Sequence, residues 1–138
     1  MSASSIIRTL GYLGLIPFII PAVLVATSDG YADVAAQVAE AYAFGIICFL
    51  AGSWWGMSSS NHNRTLILLS NFYFVIAFLL FFLAPLWWSF TASVLLISIF
   101  LLEQNKPLFP ALPQFYRQMR VTLTILSSSS MLIIHIAR

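Results

Sequence analysis

Five long apolar stretches, separated by short polar gaps, account for most of this chain. They run from Leu10 to Thr27, Ala41 to Met57, Thr65 to Leu83, Leu86 to Leu102 and Val121 to Ile136. Each holds about 16–19 residues, close to the ~20 that a helix needs to cross a ~30 Å hydrocarbon core. A helix pairs its backbone polar groups internally, as lipid requires. The pattern therefore predicts an all-α fold: an integral membrane bundle of five transmembrane helices, forming a single transmembrane domain over residues 1–138. The fifth stretch is short, and Phe115 to Arg120 extend it, with Arg117 and Arg120 snorkelling to the headgroups.

The gaps have patterns of their own. From Ala32 to Tyr42, apolar residues at Val34, Ala35, Val38, Ala39 and Tyr42 follow a helical spacing, with Asp33 near the start. This predicts a short amphipathic helix leading into the second span. Between Lys106 and Tyr116, prolines stand at 107, 110 and 113. A proline every third residue fits an extended polyproline turn. Leu108, Phe109, Leu112, Phe115 and Tyr116 are then expected against the membrane surface, with Arg117 and Arg120 placed for anionic lipid phosphates.

Charge adds an orientation. The side that receives the N-terminus carries Arg8, Arg64, Lys106, Arg117 and Arg120; the other carries Arg138 with Asp29, Asp33 and Glu40. Basic residues concentrate on the cytoplasmic side of membrane proteins, so the bundle is expected N-inside and C-outside. Composition agrees: 61% of residues are hydrophobic, 7% are charged and the mean hydropathy is +0.97. The first stretch, interrupted by Pro17 and Pro21, reads as a span rather than a cleaved signal. A net charge of +2 with scattered bases leaves no nucleic-acid footprint. A lone cysteine, Cys48, excludes an intrachain disulfide and a cysteine-based zinc site.

Candidate chemistry is sparse. Pro17 and Pro21 should kink the first span near mid-membrane and leave the carbonyls of Leu13 and Pro17 to find other partners. Cys48, Gly52 and Gly56 are spaced by four and form a stripe of small residues; Gly52-x-x-x-Gly56 matches a close-packing motif, expected to meet another span of this chain, with a second subunit as the alternative. Trp54, Trp55, Trp87 and Trp88 fit interfacial belts. Asn71 in the third span and Ser127, Ser128, Ser129 and Ser130 in the fifth are the residues from which a polar cavity would be built. Met131 and His135 stand one turn apart, too few to hold a metal. His62 and His135 fall on opposite sides, and no catalytic set assembles in one place. Glu103 closes the fourth span and is a possible interfacial brace for Arg117 or Arg120.

Three blocks resemble one family. Gly11-Tyr12-Leu13-Gly14-Leu15-Ile16-Pro17-Phe18 is similar to its opening. Phe49-Leu50-Ala51-Gly52-Ser53-Trp54-Trp55-Gly56 is similar to its Phe-Leu-x-Gly-x-x-Trp-Gly. Pro113 to Thr124 resembles its Pro-x-Trp-Tyr-Arg-x-x-Arg-x-x-Leu-Thr, with Phe115 in place of the Trp. The family is that of domain of unknown function 3429, which includes transmembrane protein 69. The resemblance implies a five-span bundle of bacterial inner or mitochondrial inner membranes, carries no established activity, and places an acid near Glu103.

The expected role is non-enzymatic and without cofactor: a structural, assembly or lipid-contacting component of a bacterial inner membrane. Gly11, Gly14, Gly52 and Gly56 would let helices approach. Membrane lipids are the expected partners, with a membrane protein or a second copy as further possibilities. The alternative is a small carrier for an ion or solute, built on the kinked first helix and the polar patch.

Overall fold

A computed structural model describes residues 2–28, 30–61, 63–105, 109 and 113–138, with residues 59–61 described by backbone alone. Among the described residues six α-helices follow one another: α1 (Ala3–Leu13), α2 (Ile16–Thr27), α3 (Ala32–Asn61), α4 (Arg64–Leu83), α5 (Trp88–Glu103) and α6 (Gln114–Ala137), with one 3-10 turn at Pro85–Trp87 before α5. No strand occurs among the described residues. Counting α1 with α2, five helical segments are long and apolar enough to cross a membrane.

Local sequence sets the helix ends. The Ser2 side chain accepts from the Ser5 N–H and caps α1, and Asn63 accepts from the N–H groups of Thr65 and Leu66 and caps α4. Pro85 cannot extend α4, and Pro113 precedes α6, where its carbonyl takes the Tyr116 and Arg117 N–H groups.

Two expectations about helix shape are corrected. Residues 32–42 are not a separate amphipathic helix. They are the first turns of α3, which runs unbroken for 30 residues, about 45 Å at ~1.5 Å per residue. Of the expected apolar positions Ala35 and Ala39 bury against the bundle, beside Ala36 and Ala43, while Val34 and Val38 are exposed. The first span has one break rather than two. It falls at Gly14-Leu15, Pro17 occupies the first turn of α2, and Pro21 lies inside an unbroken helix. A proline in a first helical turn lacks only an N–H that would be unpaired there anyway.

Going round the bundle, α4 packs on α3, α3 on α2, α2 on α6 and α6 on α5, while α5 closes the ring against α3 and α4. The helix α1 lies against α6. The seam of α3 is Ala36, Ala39, Ala43, Ile47, Ala51 and Trp54, each at most 1% exposed. Small side chains let backbones approach where lipid offers no hydrophobic drive. Hydroxyls then tie neighbours: Ser70 donates to the Ala51 carbonyl at 2.7 Å, Tyr73 to Ser98 Oγ at 2.9 Å and Ser93 to the Ser128 carbonyl at 3.0 Å.

The stripe Cys48, Gly52 and Gly56 is therefore not the packing face. Cys48 is half-buried, Gly52 and Gly56 are exposed, and a Cβ built on either glycine would meet nothing within 4 Å. The true seam runs through Ile47 and Ala51, one residue earlier. One residue turns a helix by about 100°, which moves the expected stripe off the core. Gly11 does mark a close approach: a Cβ there would stand 2.5 Å from Met119 Sδ of α6.

Enlarging the seam should therefore hurt, and enlarging the stripe should not. Ala43→Leu is expected to cost about 1–3 kcal/mol through overpacking. Gly52→Leu should stay within about 0.5 kcal/mol. Equilibrium unfolding in detergent micelles measures both, and equal losses would refute the assignment of faces.

Candidate functional site

The described polar groups converge at two places, one at each end of the bundle. At the end where α6 begins, Glu103 closes α5 and faces Arg120 of α6. Arg120 Nε donates to Glu103 Oε2 at 3.0 Å, and both side chains are only 9% exposed. Trp54 of α3, fully buried, donates through Nε1 to Glu103 Oε1 at 3.3 Å. One carboxylate thus ties three helices. The Trp54 ring is held edge-on by Tyr73 at 5.3 Å and Phe109 at 5.2 Å. Phe109 is buried here rather than laid on the membrane surface. The rest of the proline-rich reading, at Lys106, Pro107, Leu108, Pro110, Ala111 and Leu112, lies outside the described residues, as does His62.

The opposite end repeats the arrangement. Glu40 of α3 accepts through Oε1 from Ser89 Oγ of α5 at 2.7 Å and from Arg138 Nη1 at 2.6 Å. Its backbone carbonyl accepts from Trp88 Nε1 at 2.9 Å. Trp88 is 1% exposed and packs on Phe44 and Phe81. Glu40, Arg138, Trp54 and Trp88 carry these clasps, and none was singled out from sequence as a site residue. In each tryptophan pair one ring is buried, and only Trp55 and Trp87 are left on the surface that an interfacial belt requires.

Arg120 is incompletely paired. Its Nη2 also comes within 3.0 Å of Glu103 Oε2, yet it makes no hydrogen bond and is buried from solvent. It is the one buried side-chain nitrogen or oxygen without a hydrogen-bond partner among the described residues. A buried donor left open costs about 1–3 kcal/mol.

Arg120 also lines a cleft of about 430 Å³ between α1, α2, α3 and α6. Its walls are mostly apolar, with Phe18, Ile46, Leu50 and Leu123 among them. Along α6 it extends from Tyr116 to Ser127, about 16 Å at ~1.5 Å per residue. Ile7, Leu10 and Phe49 line it too and are 42%, 64% and 71% exposed, so the mouth opens sideways through an apolar rim. The break in the first span sits in this wall. Phe18 N–H turns to the Leu15 carbonyl, and Tyr42 of α3 donates to the freed Gly14 carbonyl at 3.1 Å. A neighbouring side chain meets the need that the prolines imposed.

The polar patch expected from sequence does not form. Asn71 is exposed and donates to the Ile67 carbonyl of its own helix at 2.9 Å. Ser127, Ser128 and Ser130 are buried and bond back to the carbonyls of Leu123, Thr124 and Leu126, while Ser129 faces outward. Of the four, Ser127 lines the cleft. Arg117 is exposed, one turn before Arg120, so of the two arginines only Arg120 takes up the brace with Glu103. Arg8 lies over the Phe115 ring at 4.8 Å, beside the same end of the cleft. No group of three or more metal-ligating side chains occurs among the described residues. His135 stacks beside Trp87 and Phe90, and Met131 is fully buried in the core.

A family model described as a protein of unknown function, DUF3429, matches residues 3–136. The chain belongs to the DUF3429 family. The match covers all six helices of this DUF3429 chain and names the family without an activity. No curated protein and no solved structure matches it.

The two clasps should differ in strength. Glu103→Gln leaves the Arg120 charge buried without its partner, and a loss of about 3–5 kcal/mol is expected, largely recovered in the double variant Glu103→Leu with Arg120→Met. Arg138 is 37% exposed in its pair, so Arg138→Ala should cost at most about 1 kcal/mol. Thermal unfolding of the four proteins in one detergent ranks them.

Proposed function

We propose that this protein is a non-enzymatic, lipid-contacting component of a bacterial inner membrane. The observation that carries this reading is the sideways-opening apolar cleft. Ligands enter such a mouth from hydrocarbon, and its exposed rim of Ile7, Leu10 and Phe49 offers nothing to a hydrated solute.

The remaining polar groups support the same reading. Both oxygens of Glu103 are occupied, and Glu40 is held by Ser89 and Arg138, so these carboxylates act as braces. A general acid or base needs a free edge facing a substrate. A carrier needs polar groups lining one continuous path. Asn71 and the serines are spent on their own helices and sit on different faces, which leaves the carrier reading without its lining.

Orientation belongs to the proposal. The end bearing Glu103 and Arg120 also bears Arg8, Arg64 and Arg117 and is assigned to the cytoplasm by the distribution of basic residues. Residue 138 then lies outside. Alkaline phosphatase fused after Arg138 should be active in a bacterial host, whereas activity of a cytoplasm-only reporter at that position would reverse the orientation.

Co-purification tests the role. Protein extracted from native membrane should retain lipid through washing in detergent and should lose thermal stability when delipidated. Isolation with a stoichiometric second protein, and with no retained lipid, would transfer the role to assembly.

A further inference from the structure

Bracing leaves two facts about the cleft unexplained. The Arg120 guanidinium is nine-tenths buried and forms part of the cleft wall, and its Nη2, 3.0 Å from Glu103 Oε2, makes no well-directed hydrogen bond. The surroundings are also one-sided in charge. Glu103 neutralises Arg120, but Arg117, one turn earlier on α6, and Arg8, over the Phe115 ring, form no ion pair among the described residues.

We infer that this cleft seats one acyl chain of an anionic phospholipid, with its phosphate at the end that bears Arg8 and Arg117. Guanidinium matches phosphate geometry well. Arg8 and Arg117 supply the positive charge that Glu103 does not cancel, so the site favours a net negative head over a zwitterionic one. Below the head, Leu123, Leu50, Ile46 and Phe18 provide an apolar wall for one chain. A volume of about 430 Å³ lies in the range of ligand sites and suits one chain rather than a whole two-chain lipid. The second chain stays in the bilayer, past the exposed rim of Ile7, Leu10 and Phe49. Two of the hydroxyls along the wall are already used: Tyr42 donates to Gly14, and Ser127 bonds back to Leu123. Binding therefore draws its selectivity from the arginine end. This inference rests on the lipid-contacting reading and names the lipid class and its seat.

Native mass spectrometry of the intact protein, released from phosphatidylethanolamine nanodiscs doped with phosphatidylglycerol or with oleate, tests it. One phosphatidylglycerol per chain should survive release in preference to phosphatidylethanolamine. The double variant Arg8→Gln, Arg117→Gln leaves the Glu103–Arg120 pair intact. It should lower that preference by about fivefold for each arginine that acts at the head. Leu123→Trp fills the upper wall and should lower retention of both lipids. Equal retention of the two phospholipids, a preference unchanged by the arginine variant, or oleate displacing phosphatidylglycerol would overturn the inference while leaving lipid contact in place. Absence of any retained lipid would remove the broader reading as well.

Discussion

Hydrocarbon cannot hydrogen-bond, and the whole bundle is arranged around that constraint. Each charge that enters it must bring its own partners. The bundle meets the requirement with two carboxylates, one at each end. Glu103 joins α5 to Arg120 of α6 and Trp54 of α3; Glu40 joins α3 to Trp88 and Ser89 of α5 and to Arg138 beyond α6. The same three helices are clasped twice, so their register is fixed at both ends. Between the clasps the seam needs no charge. It is built from alanines on α3 and from serine hydroxyls that donate to neighbouring carbonyls. Buried ion pairs are weak evidence for stability but good devices for fixing register, and the Trp54 donor on Glu103 adds a direction that the ion pair alone lacks.

Much of this was legible in sequence, and the divisions are informative. Spans follow from length and hydropathy, because the bilayer sets both, and all five match a crossing helix. The Glu103–Arg120 pair was within reach because acid and base were already assigned to one end. The face of α3 was not. A small-residue stripe read from spacing alone has the right period, but its phase depends on which neighbours exist. Gly52 and Ala51 are equally small, and only the contacts of α2, α4 and α5 choose Ala51. Tryptophan failed for a related reason. Adjacent rings at 54–55 and 87–88 point about 100° apart on a helix, so one of each pair turns inward and needs an acceptor. For Trp54 the sequence signal was present, a glutamate at the matching end of a neighbouring span, whereas Trp88 takes the backbone carbonyl of residue 40.

Serine and asparagine were overread because inside a membrane a polar residue draws attention as function. Here the shorter route wins. A hydroxyl or amide one turn below its own carbonyl is satisfied without leaving the helix, as at Ser127, Ser130 and Asn71. Residues paired in this way impose no demand on a neighbour, and so they neither attract one another nor line a path. The arginine is different. A guanidinium has five N–H donors in a planar fork and no local carbonyl within reach of all of them. Glu103 takes Nε, and Nη2 remains.

The break at Gly14-Leu15 gives this remainder its consequence. An unbroken first helix would carry α1 straight on from α2 and leave it wherever that axis led. The break lets α1 take its own line against α6, where Gly11 admits Met119 and Arg8 reaches Phe115. The cleft lies between that contact and α3. Tyr42 holds the break by donating to the Gly14 carbonyl, so the residue that repairs the backbone also lines the space it creates. A proline-rich first span read as a kink thus acts as an offset. It moves one short helix aside, opens an apolar wall, and leaves Arg8 and Arg117 at the end that holds the Glu103–Arg120 pair. The opposite clasp has no such arrangement. Arg138 is more than a third exposed, and water or headgroups can complete its shell. The difference between the two ends lies in what surrounds each pair.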